Sequence, residues 1–281
     1  MTDFIAFARA SGLDLLNCQP SRDIQRCPTL EHPNKNNASF MYDGKRGWCL
    51  CWDNGAEIQY WDNGKEFTPA EKQEWIKQQT KHNEGKAELA ADTARKAQWM
   101  LSKANLSTHD YFACKGFPDH IVKVMERDGN RLALLPMRVG SQITSLQIIS
   151  REGDKWRKTF LRGGTTKGAT FTIGQGEPVL CEGFCTGLSI HRALSAAKIP
   201  ASVVICYSAQ NMVYVSKTLK PRLVIADHDE AGLKAAEATG ALFYTPPVDG
   251  FDFNDLETSR GAFFAMMEMK RLWLTKAVIT V

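Results

Sequence analysis

A chain of 281 residues has room for one large domain or two ordinary ones. Its 43% hydrophobic and 23% charged residues are those of an ordinary globular protein, and no apolar run is long enough to span a bilayer, which argues against a helical membrane protein. A net charge of +4 permits a polyanionic partner without requiring one.

The opening MTDFIAFARASGLDLL has an early acid and no basic stretch ahead of an apolar core. It does not read as a secretory signal, so a cytoplasmic location is expected. Its first residues look helical. Eight cysteines in such a setting do not suggest a disulfide framework. Through residues 1–66, short runs such as SFMYD and GWCLCW alternate with Asn/Gly turns (NKNN and DNG twice), which predicts a small β module of hairpins. Cys18, Cys27, Cys49 and Cys51 cluster here and raise the question of zinc. Lys35, Lys45, Arg46, Trp48, Trp52, Tyr60 and Trp61 interleave cations with rings, a mixture suited to single-stranded nucleic acid. A module this short must also bury rings, so only one or two are expected to stack on bases.

Residues 67–105 are dense in Glu, Lys, Ala and Gln. Thr68, Pro69 and Glu71 form a helix-start signal, and a break is expected near Asn83–Gly85, giving two charged linker helices. In 106–175, LALLPMRV, ITSLQIIS and KWRKTFLRGG read as strands of a mixed sheet. In 176–281, the apolar runs PVLCEG, SVVICYSA and RLVIADHD alternate with helix-like stretches, which predicts a parallel α/β sheet. Cys181, Cys185 and Cys206 lie in apolar surroundings and are expected in the core.

Two of these strands end in acids. PVLC runs into Glu182-Gly183, and LVIA runs into Asp227-His228-Asp229. Functional groups of parallel α/β sheets gather at the carboxyl ends of strands, so these three acids are expected on one edge. A further group, Asp252, Asn254 and Asp255, lies downstream in a loop before the last helix. Two carboxylates about 4 Å apart repel by roughly 4 kcal/mol at an effective dielectric of 20. A divalent metal with hard oxygen ligands relieves that repulsion and points to phosphoryl chemistry. Read without a metal, Asp227-x-Asp229 is a solvated loop with an aspartate capping the next helix.

Here the chain resembles a family. Glu-Gly at one strand end followed by Asp-x-Asp at a later one resembles the TOPRIM fold, shared by bacterial-type primases, type IA and type II topoisomerases and some nucleases. CEGFCTGLSIHRAL resembles its glutamate motif at Glu182, and IADHDEAGLKAA resembles its Asp-x-Asp motif at Asp227 and Asp229. GFDFNDL resembles an acidic segment of phage and plasmid primases, and the likeness runs over roughly 107–260. RCPTLEHPNKNNASFMYDGKRGWCLCW resembles the zinc ribbon that opens primases, with Cys27, His32, Cys49 and Cys51 as the matching ligands. Four residues separate the first pair and one the second, where the family has two.

The resemblance implies an α/β fold with a Rossmann-like TOPRIM sheet behind a zinc-ribbon-like β module. It implies a DNA primase: a nucleotidyltransferase making RNA primers on a single-stranded DNA template from ribonucleoside triphosphates. Mg²⁺ or Mn²⁺ would be held by Glu182, Asp227 and Asp229, completed by Asp252 or Asp255, with Glu182 as general base or further ligand. One structural Zn²⁺ would occupy the ribbon. Lys115, Arg138, Lys155, Arg157, Lys158, Arg162 and Lys167 are candidates to hold nucleotide or DNA, joined by Trp48 and Trp52. KTFLRGGTTKG is either a phosphate-contacting loop or a solvated turn. No G-x-x-x-x-G-K-[ST] loop is present, so a separate replicative helicase is implied. A metal-dependent nuclease and a non-catalytic DNA-binding replication protein are the alternatives. The compact layout resembles that of phage and mobile-element proteins.

Overall fold

The computed structural model describes residues 3–53, 57–62 and 69–275. The expected Asn/Gly turns at 53–55 and 62–64, and the helix cap expected at Thr68, involve residues outside that set. The chain divides into two compact units, Met1–Thr80 and Lys81–Val281. Among the described residues no helix is long and apolar enough to cross a membrane.

The first unit begins with α1 (Asp3–Ala10), which buries Phe4, Ile5 and Ala8. Strands β1 (Ser21–Cys27), β2 (Ala38–Tyr42), β3 (Arg46–Cys51) and β4 (Ile58–Asp62) form an antiparallel sheet in chain order. Side chains alternate along β3, so Gly47, Cys49 and Cys51 turn inward while Trp48 and Leu50 turn outward. Phe4 stacks on Tyr42 at 4.5 Å between ring centres. It also lies over Gly47, where a Cβ would come within 2.4 Å of its ring. Only glycine admits that approach.

Helix α2 (Pro69–Lys103) is continuous, so the break expected at Asn83–Gly85 does not form. Gly85 costs a helix only about 1 kcal/mol relative to alanine, and the flanking Glu, Lys and Ala are good helix formers. Its last turns bury Ala97 and Met100 against Leu134 and Leu146.

The second unit holds two sheets. The first comprises β5 (Asn105–Ser107), then α3 (Asp110–Cys114), then β6 (Val122–Arg127), β7 (Asn130–Val139), β8 (Gln142–Glu152) and β9 (Lys155–Phe160). The sheet is antiparallel throughout, not mixed. The cause is local. Strands joined by tight turns such as Asp128-Gly129, both at positive φ, have no length for a parallel crossover.

The second sheet comprises β10 (Phe171–Gly174), β11 (Glu177–Cys181), β12 (Ala201–Ile205), β13 (Leu223–Ile225) and β14 (Phe243–Tyr244). Its order is β10-β12-β11-β13-β14, and all neighbours are parallel except the antiparallel edge strand β10. Helices α4 (Phe184–Ala196), α5 (Ala209–Leu219), α6 (Glu230–Thr239), α7 (Phe253–Arg260) and α8 (Ala262–Leu274) complete it. Val179, Cys181, Val203, Ile205, Leu223 and Ile225 face α4, α7 and α8. The alternating residues Leu180, Val204 and Val224 face α5 and α6. Helix α4 therefore leaves β11 over one face, and α6 leaves the neighbouring β13 over the other. That reversal opens a crevice at the carboxyl ends of β11 and β13, where open α/β sheets bind ligands.

Candidate active site

Glu182 follows β11 directly, and its carboxylate accepts the backbone N–H of Ala209 in the first turn of α5. Asp227 stands two residues past the end of β13. Asp229 caps α6, its Oδ1 accepting the Gly232 N–H at 2.7 Å. Gly232 presses the first turn of α6 onto Asp227, and a Cβ there would lie 2.3 Å from the Asp227 carbonyl oxygen. The His228 N–H donates to the Phe251 carbonyl at 2.9 Å, and the Gly250 N–H donates back to the His228 carbonyl at 2.7 Å. This two-bond clasp draws Asp252 toward the other acids.

Asp252, Asn254 and Asp255 do not sit in a loop before the last helix. Asp252 is the N-cap of α7, Asn254 and Asp255 lie inside that helix, and α8 follows. The sequence DFNDLE already held the signal: Asp252 and Asp255 form a reciprocal capping box, an arrangement built on N-cap and N3 spacing. Asp255 also pairs with Lys115 Nζ at 3.2 Å, so both its oxygens are engaged. Asn254 is fully buried and donates to the Lys115 carbonyl and to Ser189 Oγ.

Burial pushes the Asp227 carboxyl up to about 7, and the charges of Asp252, Glu182 and Asp229 add to it against the opposing pull of Lys158. Asp227 Oδ1 is buried and has no hydrogen-bond partner. Glu182 is also raised, first by burial and then by Asp229, against Lys158 and the Ala209 N–H. Lys115 is raised: its burial acts downward, and Asp252 and Asp255 outweigh it. The acids therefore share one field, though among the described residues no three of their oxygens, one from each acid, lie within 4.8 Å of one another. An orphaned buried carboxylate oxygen among further carboxylates suits a hard divalent cation such as Mg²⁺ or Mn²⁺, and offers nothing to a soft one.

Two residues that sequence reasoning missed support the site. Arg192 of α4 grips the buried Glu257 of α7 at 2.7 and 2.6 Å, and also donates to the Gly116 carbonyl. The pair locks α4 to α7 and, with Asn254, fixes the Lys115-Gly116 turn. Arg192 and Glu257 belong to separate charged helices, and no local pattern joins them.

The other basic candidates scatter. Lys158 on β9 is exposed, lies 5.4 Å from the Tyr111 ring centre, and is the cation felt by Glu182 and Asp227. Arg138 donates to the Ser141 carbonyl of its own turn. Arg157 pairs with Glu152, while Lys155 and Arg162 are exposed. Lys167 stands 4.7 Å from the Tyr214 ring centre. In the first unit Trp61 packs into the core against Phe4 and Tyr42. Trp48 and Tyr60 pair across β3 and β4 on the outer face, where Tyr60 is 75% exposed and Arg26 lies over Trp52 at 4.6 Å.

Among the described residues, no three of the expected zinc ligands Cys27, His32, Cys49 and Cys51 bring their ligand atoms within 4.8 Å of one another. Cys27, Cys49 and Cys51 are buried beside Phe40 and Ala38 in the core of the first unit. His32 is exposed in the β1–β2 connection, with Nδ1 3.1 Å from Asp53. The physical reason is register. Cys27, Ala38 and Cys51 form one row across the sheet on its inward face, and Cys49 shares that face, so the thiols point into the core. Burial raises Cys27 to about 11 and Cys49 to about 12. Among the described residues the metal-capable group is instead Glu31, His32 and Asp53. There the Thr29 hydroxyl, followed by the His32 ring, holds the Asp53 carboxyl below its usual range.

No family model matches the chain, and no curated protein matches it. Solved structures of similar shape include a chain from the bacteriophage T7 lagging-strand DNA polymerase interacting with primase domains of two gp4 subunits bound to an RNA/DNA hybrid and dTTP. It is 18% identical with a TM-score of 0.37, over 60% of this chain and 88% of that one. A DNA primase domain from Pseudomonas aeruginosa is 17% identical with a TM-score of 0.36, over 61% and 58%. A DnaG primase catalytic domain bound to single-stranded DNA is 16% identical with a TM-score of 0.35, over 62% and 60%. The chain thus spans under two thirds of the latter two. Likeness at this level fixes neither activity nor residue roles.

Proposed function

We propose that the chain is a primase of TOPRIM type, a nucleotidyltransferase that starts RNA chains on single-stranded DNA. The observation that carries this reading is the unpartnered Oδ1 of Asp227, buried among three other acids at the crevice between β11 and β13. Glu182, Asp227 and Asp229 would hold Mg²⁺ or Mn²⁺. Asp252 completes the set in preference to Asp255, whose oxygens serve Lys115 and the α7 cap. When bound, such an ion neutralises charge on a transferring phosphoryl group and lowers the pKa of the attacking hydroxyl.

The chain's own groups supply the rest. Glu182, raised by burial, would serve either as a further ligand or as the base that takes a proton from a nucleotide hydroxyl. Lys158 faces the acids without an ion-pair partner among the described residues, so its ammonium is available to triphosphate oxygens. The outer face of the first unit's sheet, with Tyr60, Trp48 and the Arg26–Trp52 pair, is suited to stacking single-stranded bases. Ribonucleoside triphosphates, a DNA template and a separate helicase are the partners this reading implies.

The test is primer synthesis from mixed-sequence single-stranded DNA, ribonucleotides and Mg²⁺, with Asp227→Asn and Glu182→Ala alongside. Template-dependent short RNA is expected from the wild type, with a loss on the order of 10³-fold in each variant, as removal of several kcal/mol of transition-state stabilisation implies. Metal-dependent loss of the DNA itself would assign the site to a nuclease. Neither product, with the implied helicase added, would leave a DNA-binding protein.

A further inference from the structure

Beside the acids lies a cavity of the opposite character. It measures about 480 Å³, within the roughly 300–1,000 Å³ typical of small-ligand sites. Its walls are the 166–168 turn and one face of α5, and its eight lining residues include two lysines and no carboxylate. Gln210, Tyr214 and Lys217 recur at i, i+4 and i+7, so they share one stripe of the helix. Lys167 reaches over Tyr214 from the facing turn, and Tyr214 is 44% exposed.

The walls are fixed. The buried Asn211 side chain accepts the Gly168 N–H at 2.7 Å and donates to the Ala169 and Cys206 carbonyls, each at 2.8 Å. The turn and the helix are thereby pinned together before any ligand arrives, which limits the ordering cost of binding. Thr166 and Ser208 add hydroxyls to the lining. The cavity adjoins the acid cluster through a single residue. The Ala209 N–H is directed at Glu182, and its neighbours Ser208 and Gln210 line the cavity.

We propose that this cavity binds a phosphate together with its adjoining base, Lys167 and Lys217 meeting the phosphate and Tyr214 stacking on the base. Lysines meet phosphate as mobile point charges, and an exposed ring between them gives a sequence-tolerant platform. The same chemistry is offered by a segment of single-stranded nucleic acid and by a free nucleotide. In either case the ligand is delivered to the edge of the acid cluster, so the assignment rests on the reading of that cluster as a phosphoryl-transfer site.

The experiment uses the whole chain in EDTA. Fluorescence anisotropy measures the affinity of a fluorescein-labelled mixed-sequence DNA 12-mer, and equilibrium dialysis measures that of labelled ATP. Tyr214→Ala is expected to weaken one of the two probes about tenfold, and Tyr214→Phe to restore it within about twofold, as a stacking ring predicts. The Lys167→Ala/Lys217→Ala double variant is expected to reduce the salt slope for the 12-mer by about 0.7, the amount for one phosphate no longer neutralised. A defect confined to the 12-mer identifies the strand as ligand, and one confined to ATP identifies the nucleotide. Unchanged affinity for both probes in folded Tyr214→Ala and in the double variant overturns the proposal. Binding is read without metal, so it stands or falls separately from primer synthesis: a chain that makes no RNA but shows these defects keeps the cavity and loses the catalytic reading.

Discussion

The cysteines of the first unit and the acids of the second are both clusters of metal-ligand residue types, and they have opposite fates. Cys49 and Cys51 lie within a strand, two residues apart, so the pleat sends both to one face. That face is the core, and the thiols are sealed into it with Cys27. Glu182 and Asp227 come after their strands end, where the pleat no longer dictates direction and the helices have turned to opposite faces of the sheet. Residues within a strand are taken by packing, and those just past its carboxyl end stay available for chemistry.

Charge separates the two clusters most. Ionised Asp227 penalises the metal-free fold, whereas the protonated thiols do not. Its carboxyl rises from an ordinary 3.8 to about 7 on folding, so the folded state holds its proton more tightly than the unfolded one. Stability therefore falls as pH rises from about 4 to 7 and levels off above. Each unit of displacement corresponds to about 1.4 kcal/mol, which makes the full effect roughly 4 kcal/mol. In EDTA at pH 8, Asp227→Asn is expected to be more stable than wild type, with the gap closing by pH 4. Denaturant titrations across that range check it, and a gap independent of pH would remove Asp227 from the shared field of acids.

A smaller effect comes from the backbone that aims the acid. Gly232→Ala places a Cβ against the Asp227 carbonyl and must move one or the other. A displacement near 1 Å at a reacting centre costs about 100-fold in rate. Primer synthesis is expected to fall by about that factor while the circular-dichroism spectrum of the variant stays native. Unchanged activity would mean that the turn at Asp227 absorbs the methyl group and that Gly232 is not what aims the carboxylate.

These contrasts also mark what the sequence made legible. The apolar runs PVLC, SVVI and LVIA announce buried parallel strands, and acids at the ends of two of them mark a candidate site, because both signals are local. Three features differ from that reading, two for local reasons and the third because its partner lies far along the chain. The antiparallel sheet around LALLPMRV and ITSLQIIS depends on turns too short for a crossover. The unbroken α2 depends on flanking residues that outweigh Asn83–Gly85. Asp255 resembles a ligand in sequence but is held by Lys115, 140 positions upstream. Arg192 and Glu257 are likewise joined only by folding.

The smallest expected effect concerns the buried thiols. Cys114 is exposed, Cys18 is half-buried, and the remaining six cysteines are buried. With Cys27 near 11 and Cys49 near 12, their thiolate forms make up ~0.1% or less of each at pH 8, and reactivity follows the thiolate. A thiol-disulfide reagent is expected to label Cys114 first, Cys18 next, and the β1 and β3 thiols only once denaturant opens the first unit. Peptide mapping after a short exposure reads the order directly. Early labelling of Cys49 or Cys51 would put the inward face of β3 in solvent, and the two clusters would then no longer differ by the rule that separates strand faces from strand ends.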